Sequence, residues 1–271
     1  MSHTISLVIY TFNWPEALNL VLKSIQQQTK FPDEILIADG GSSKLNKPII
    51  QKFAQYIPTP ILHMELEKNE EPSKSKILNK AILKSQSDYI IQINANCILH
   101  KNFVYDHSIK AKPNIFLYGI SLPVHSKSIH TVIQNEIIKF SYFSGKIKRS
   151  NKNLRIPFLS NFNSPINYFS EEMTGNNVSF WKKDFMDING YNEDFMTQAG
   201  EDIDFFYRLL FSGIKGKKLS YLAILYFLPN PSTDDADKLN IMILKKTKKY
   251  KIIVCTNGVE KIKKNKKIPF Y

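Results

Sequence analysis

Residues 5–43 read ISLVIYTFNWPEALNLVLKSIQQQTKFPDEILIADGGSS. The opening ISLVIY is a nearly continuous apolar run, the pattern of a strand covered on both faces. Asn13-Trp14-Pro15-Glu16 then opens a helix, with Asn13 placed to cap it and Pro15 in the first turn. Leu18, Val21, Leu22 and Ile25 recur at helical spacing. EILIA (34–38) is a second buried strand, and Asp39-Gly40-Gly41-Ser42-Ser43 behind it is a turn cluster. Strand, helix, strand is the repeating unit of a parallel sheet, because parallel neighbours need a crossover between them.

The alternation continues outward from this stretch. Pro48–Tyr56 reads as a helix and Ile61–Leu66 as a strand. Ser73–Ser85 is an amphipathic helix with Ile77, Leu78, Ala81 and Ile82 on one face. YIIQI (89–93) is a further strand, ending in Asn94-Ala95-Asn96. The second half is less regular: strand Ile115–Leu122, a helix from Ile129 to Phe143 within an otherwise polar 123–172 stretch, and strand Asn177–Trp181. Helices Lys182–Ile188 and Asp202–Ser212 and strand Leu219–Phe227 complete it. The fold class is α/β, with a mostly parallel central sheet running through both halves. Residues 1–121 form one lobe, 122–230 a second, and 231–271 a basic tail.

A chain of 271 residues, 43% apolar, buries a sizeable core, which excludes global disorder. The two cysteines, Cys97 and Cys255, make neither a disulfide framework nor a CxxC zinc site. No basic segment precedes the first apolar run, and no run is long enough to span a bilayer. A cytoplasmic protein, at most peripheral on the inner face of the membrane, is expected.

The net charge of +13 is unevenly spread. Residues 238–271 carry 11 lysines and one acid, leaving 26 basic and 23 acidic residues for everything before them. KKTKKYK (245–251) and KIKKNKK (261–267) would be drawn to an anionic membrane surface. Nucleic acid ranks lower, since aromatic residues hardly interleave with these lysines. General enrichment of the chain in lysine, isoleucine and asparagine explains these runs equally well.

In open parallel sheets, ligands bind beyond the carboxyl ends of the strands. Three strands here end in small polar groups: Thr11 and Asn13, Asp39-Gly40, and Asn94-Ala95-Asn96. Asp39 can accept a hydrogen bond from an imide or hydroxyl, though Asp-Gly-Gly alone is an ordinary turn. The densest signal is GEDIDFFYRL (200–209), three carboxylates at a helix start. Asp202 and Asp204 cannot share a helix face, so they have different tasks. An acid facing a cleft there can serve as a general base. Acidic helix capping, worth about 0.5–2 kcal/mol, is the ordinary alternative.

These residues bring a resemblance into view. SLVIYTFNWPEAL, EILIADGGSS and KSKILNKAILKSQSDYIIQINANCILHKNF, followed by TGNNVSFWKKDFMDINGYNEDF and AGEDIDFFYRLLFSGIKGKKL, resemble a family 2 glycosyltransferase of the GT-A fold over residues 4–228. The second half is similar to a galactosyltransferase-type carboxyl region. The resemblance implies inverting transfer of a sugar from a nucleotide-sugar donor to a glycan or glycolipid hydroxyl, in surface polysaccharide or lipooligosaccharide synthesis. It places Thr11, Asn13, Asp39 and Gly40 at the nucleoside, and Lys76 and Asn79 on the helix bordering the donor. Asn176, Asn177 and Trp181 fall around donor sugar and acceptor. Asp202 takes the place of the catalytic base, with Glu201 beside it orienting the acceptor.

The pattern also departs from the family. Mn²⁺ or Mg²⁺ is implied at an Asp-x-Asp, but those positions hold Asn94 and Asn96, which lack the charge a hard cation favours. The histidine often found after the last core strand is replaced by Phe227-Leu228-Pro229-Asn230, and Gln198 stands where a tryptophan is frequent. No metal ligand is therefore assigned. Two readings stay open: a metal-independent enzyme in which Lys74, Lys76 or Lys182 meets the leaving diphosphate, or a degenerate homologue that binds a nucleotide sugar or acts as a scaffold.

Overall fold

Strand β1 (Ile5–Thr11) is buried at all seven positions, the strand-on-both-faces environment its apolar run requires. It lies between β2 (Glu34–Asp39) and β4 (Tyr89–Asn94), parallel to both. In the computed structural model, residues 3–41, 43–66, 72–141, 143–148, 154–195, 199–229 and 238–260 are described. A seven-stranded sheet runs in the order β3-β2-β1-β4-β8-β6-β9, with β3 at Ile61–Glu65, β6 at Ile115–Tyr118, β8 at Val178–Trp181 and β9 at Lys215–Lys218. All its pairs are parallel except those of β8, which runs against β4 and β6. A second sheet joins β5 (Cys97–Leu99), β10 (Leu225–Phe227) and β7 (Ser121–Pro123).

Alternate side chains of β1 feed opposite cores. Ile5, Leu7 and Ile9 pack under helices α1 (Pro15–Ile25) and α2 (Ser43–Ala54), while Val8 and Tyr10 pack with α3 (Lys74–Lys84) and α7 (Glu201–Phe211). The remaining helices are α4 (Phe103–Lys110), α5 (Ile129–Gln134), α6 (Lys182–Asp187) and α8 (Lys238–Tyr250).

Several boundaries differ from the sequence expectation. Asn13 does not cap α1: Trp14 is the capping position, and Asn13 takes a left-handed φ of 47°. Helix α2 begins at Ser43, five residues ahead of Pro48, which sits inside it. Helix α5 stops at Gln134, well short of Phe143, and Glu136 is left-handed at φ 45°.

The expected strand Ile115–Leu122 is two strands in two sheets, broken at Gly119-Ile120. Of the expected strand Leu219–Phe227 only Leu225–Phe227 forms, as β10; the stretch before it is irregular, with Tyr221 and Ala223 at positive φ. One side chain meets both stretches. Asn177 donates through Nδ2 to the carbonyls of Ile120 (3.1 Å) and Ala223 (2.8 Å). A Cβ at Gly119 would fall 2.4 Å from Asn177 Oδ1, so only glycine leaves room there.

Candidate active site

Strand register assembles the site. Thr11 is opposite Asp39, Asp39 opposite Glu65, and Tyr10 opposite Asn94, so the carboxyl ends of four parallel strands share one rim. Asp39 is fully buried at this rim. Its Oδ2 accepts from Asn46 Nδ2 (2.9 Å) and faces His63 Nε2 (2.9 Å), and its Oδ1 accepts from the Gly41 amide (3.1 Å). The other ring nitrogen of His63 lies 3.3 Å from Glu65 Oε1. Gly40 follows with its amide on the Thr11 carbonyl.

Across the rim, the first turns of two helices meet. Helix α3 starts at Lys74, capped by Ser73, whose hydroxyl accepts from the Lys76 amide. Helix α7 starts at Glu201, after the left-handed Gly200. Lys74 Nζ bonds to Glu201 Oε1 and Asp202 Oδ2, each at 2.7 Å. Burial alone would push the Lys74 ammonium toward neutrality, but Asp202 and Glu201 override it and hold its pKa well above the usual lysine value. Burial raises the Glu201 carboxyl; Lys74 opposes that and the charge of Asp202 reinforces it. The two acids differ in access: the Glu201 side chain is 2% exposed and that of Asp202 20%. A Cβ at Gly175 would lie 2.3 Å from both Asp202 carboxylate oxygens, so glycine is needed for this loop to press on the acid.

Tyr10 joins the two halves. Its ring centroid is 5.7 Å from Lys74 Nζ. Burial raises its phenol pKa, with Lys74 pulling down and Glu201, Asp39 and Asp202 pushing up. A Cβ at Gly40 would fall 3.1 Å from the Tyr10 hydroxyl, so this side chain lies beside the turn that follows Asp39 as well as near Lys74. Around the same rim Thr11 Oγ1, Asn94 Oδ1, Glu201 Oε2 and Asp202 Oδ1 are buried without a hydrogen-bond partner among the described residues. Buried polar atoms in proteins are paired with few exceptions, so such a group of orphans marks a place built for something else to bind.

The other sequence candidates divide. Asn13 is exposed beyond β1, and Lys76 is half-buried in the first turn of α3. Asn176 is half-buried and lines, with Ile120, Glu172, Thr174, Lys218 and Phe227, a cavity of about 240 Å³. Asn79 is away from the rim: it is fully buried, donating to the Tyr191 carbonyl and Glu193 Oε1 and accepting from the Tyr191 amide. Asn177 is likewise a structural pin rather than a ligand-facing group, its Oδ1 facing the ring of His107. Trp181 is at the wrong end of the sheet. It pairs with Tyr89 at the start of β4, stacks edge-on with Tyr89 and His3, and donates to the Lys112 carbonyl. Lys182 also faces that end, bonded to the carbonyls of Leu83 and Ser85. Gln198 lies outside the described residues. Sequence reasoning missed Tyr10, His63, Asn46 and Gly175.

The Asn94 and Asn96 positions do not fit a hard divalent cation. Both offer only neutral amide oxygens, and Asn96 is already engaged: its Nδ2 donates to the Leu228 carbonyl at 2.9 Å and its Oδ1 faces Cys97 Sγ. Hard cations of this kind are held by carboxylates. Among the described residues, no group of three His, Cys, Asp or Glu side chains is arranged to hold a metal ion.

The central, mostly parallel seven-stranded sheet with helices on both faces is the architecture of GT-A glycosyltransferases. The family model for glycosyl transferase family 2 matches residues 6–172, and that for the N-terminal domain of galactosyltransferase matches 157–229. The chain belongs to glycosyl transferase family 2. It is 26% identical to a chondroitin synthase of Escherichia coli over 231 residues, 77% of this chain and 32% of the relative. It is 23% identical to a hyaluronan synthase of Pasteurella multocida over 264 residues, 86% of this chain and 25% of the relative. The chain thus spans a quarter to a third of the length of these relatives. Among solved structures, GalNAc-T7 with UDP, GalNAc and Mn²⁺ superposes with a TM-score of 0.64 at 11% identity, covering 90% of this chain and 48% of that one. The mannosyltransferase PcManGT from Pyrobaculum calidifontis, with GDP-Man and Mn²⁺, gives 0.59 at 13%, covering 86% and 59%.

Proposed function

We propose that this protein moves a sugar, with inversion, from a nucleotide-sugar donor to a hydroxyl of a glycan or glycolipid acceptor, and that Lys74 rather than a metal ion meets the departing diphosphate. The observation that carries the reading is the Lys74–Glu201–Asp202 trio, with its orphaned oxygens and its lysine 5.7 Å from the Tyr10 ring, at the strand rim that Asp39 closes.

The nucleoside occupies the rim at Thr11, Asp39 and Gly40, with Lys76 and Asn94 flanking the diphosphate. Asp202 is the acid a substrate can reach, and Glu201 is a positioning residue that anchors Lys74. Because Asp202 Oδ1 is buried, the acceptor proton goes to Oδ2, the oxygen now held by Lys74. The acceptor oxygen attacks the anomeric carbon on the face opposite the diphosphate. The bond from that carbon to the phosphate oxygen breaks, its electron pair leaves with the nucleoside diphosphate, and the ammonium turns from Oδ2 to the new charge. One cation thereby uncovers the base and stabilises the leaving group, a preorganised electrostatic effect in a low-dielectric site. Asn176 and its cavity offer the acceptor a berth. The acceptor class, a growing surface polysaccharide or lipooligosaccharide, is the part of the reading that rests on resemblance.

A second reading has its own observation. Asp39 is already saturated by Asn46, His63 and Gly41, and the amides at 94 and 96 lack charge, as in a binding or scaffold homologue. One assay separates the two. The purified chain is incubated with UDP- and GDP-sugars and oligosaccharide acceptors, and nucleoside diphosphate release is measured. Turnover that Asp202→Asn abolishes, with donor-induced thermal stabilisation retained, supports the transferase. Donor stabilisation with no release under any pairing favours the scaffold, and full turnover in Asp202→Asn removes the assigned base.

A further inference from the structure

Helix α8 is attached to the body the wrong way round for an ordinary surface helix. Its buried residues are polar: Asn240 donates to the Ala199 carbonyl (2.8 Å), and Thr247 donates to Asp204 Oδ1 (2.6 Å). Of its apolar residues, Ile243 and Leu244 are half-buried and the rest face out. Leu239, Ile241 and Met242 are exposed, Met242 at 67%, and so are Tyr250, Ile253 and Val254 at its carboxyl end. Between these groups lie Lys245, Lys246, Lys249 and Lys251, exposed and in no ion pair among the described residues. Lys248 alone turns inward, 4.8 Å above the Tyr207 ring. From Lys238 to Val254 the chain has six lysines and no acid; Asp234, Asp235 and Asp237 all precede it in sequence.

We infer that this outward face of α8 is a docking surface for an anionic phospholipid bilayer. Helices that lie in the plane of a membrane combine lysines, which meet anionic headgroups, with apolar side chains that enter the acyl boundary. Here the body covers Asn240 and Thr247, and in part Ile243 and Leu244, and leaves that combination to the outside. The other occupants fit less well. A second copy docked by two-fold symmetry would set the lysine stripe against itself. A nucleic acid would satisfy the lysines but leave Leu239, Ile241, Met242, Ile253 and Val254 in water, and Tyr250 is the only aromatic on the helix available for base stacking. No described helix is long and apolar enough to cross a membrane, so the contact is peripheral. The inference does not depend on sugar transfer.

The test is co-sedimentation of the full chain with vesicles of phosphatidylcholine alone or mixed with phosphatidylglycerol, at low and high salt. Binding is expected only with phosphatidylglycerol, weakening as salt rises. The triple change Lys245→Gln, Lys246→Gln and Lys249→Gln should lower partition roughly a hundredfold, at about a tenfold change per 1.4 kcal/mol and about 1 kcal/mol per lysine. Leu239→Ser with Met242→Ser should remove the part of the binding that survives salt. All five positions are exposed, so both variants should melt as the wild type does. Failure of the wild type to bind, or equal binding by the lysine variant, overturns the inference. Displacement from vesicles by a DNA duplex that then holds the chain more tightly, or a dimer in solution that buries Met242, assigns the face elsewhere and overturns it too.

Discussion

Asp202 and Asp204 stand two residues apart at the start of one helix, and their surroundings could hardly differ more. Asp204 is fully buried, paired at 2.7 Å with an equally buried Arg208 and bonded by Thr247. Arg208 in turn donates to the carbonyls of Ile188 (2.9 Å) and Gly190 (2.7 Å). Asp202 is partly exposed, shares a lysine with Glu201 and keeps an orphaned oxygen. A buried carboxylate with both oxygens bonded holds its neighbours in place. One left with an orphaned oxygen keeps the capacity to bind, at a cost in stability.

The difference is sharpest in the response to removal. Asp202→Asn should cut turnover by about 10²–10⁴-fold, the range for loss of a general base, while the urea midpoint stays level or rises. A large loss of stability would erase the distinction between the two acids. Arg208→Met should do the reverse. Leaving Asp204 buried and unpaired costs about 3–5 kcal/mol, read as a lower urea midpoint, with turnover per folded molecule unchanged.

A second buried cluster makes the comparison pH-dependent. His107 lies within hydrogen-bonding distance of Asn177 Oδ1 and Ser179 Oγ, and Ser179 Oγ is 2.7 Å from the Tyr89 hydroxyl. Burial pushes its pKa down to about 4; the Asn177 bond and Asp106 oppose this only in part. The unfolded chain therefore binds a proton that the folded chain refuses. Stability contributed by the neutral ring is present above pH ~6.5 and is lost as pH falls toward ~4, by up to about 3 kcal/mol. His107→Gln should flatten the stability profile in that window; an unchanged acid limb would mean that other groups carry it.

The smallest expected effect compares the two amides. Asn94 Oδ1 has no partner, whereas Asn96 Nδ2 donates to Leu228. Asn94→Asp should be nearly neutral for stability. Asn96→Asp should cost about 1–3 kcal/mol, because a carboxylate would face a carbonyl. The double change should gain measurable Mn²⁺ affinity by calorimetry, and chelator should leave wild-type turnover unaffected. Loss of wild-type turnover in chelator would break the assignment of Lys74 as the cation.

Much of this was legible in the chain, for reasons that mark where legibility ends. The alternating apolar runs through residue 94 fixed the parallel strands, since a buried parallel strand has one pattern. That Asp202 and Asp204 would meet different surroundings followed from helical geometry alone. Trp181 was misplaced because the direction of β8 was not readable: running antiparallel, it carries its carboxyl end away from the rim and leaves Asn176, which precedes it, near the site. Asn79 and Asn177 misled because an amide that pins backbone carbonyls looks, in sequence, like an amide that binds a sugar. His63 and Gly175 gave no signal of their own; each matters only through a partner far along the chain.

The bond from Asn96 to Leu228 makes this amide a strut. It ties the residue ahead of β5 to the segment after β10. A carboxylate at position 96 would set two acceptors against each other there, so any change at this position acts on the packing of the second sheet as well as on the rim: one side chain answers to architecture and to chemistry together.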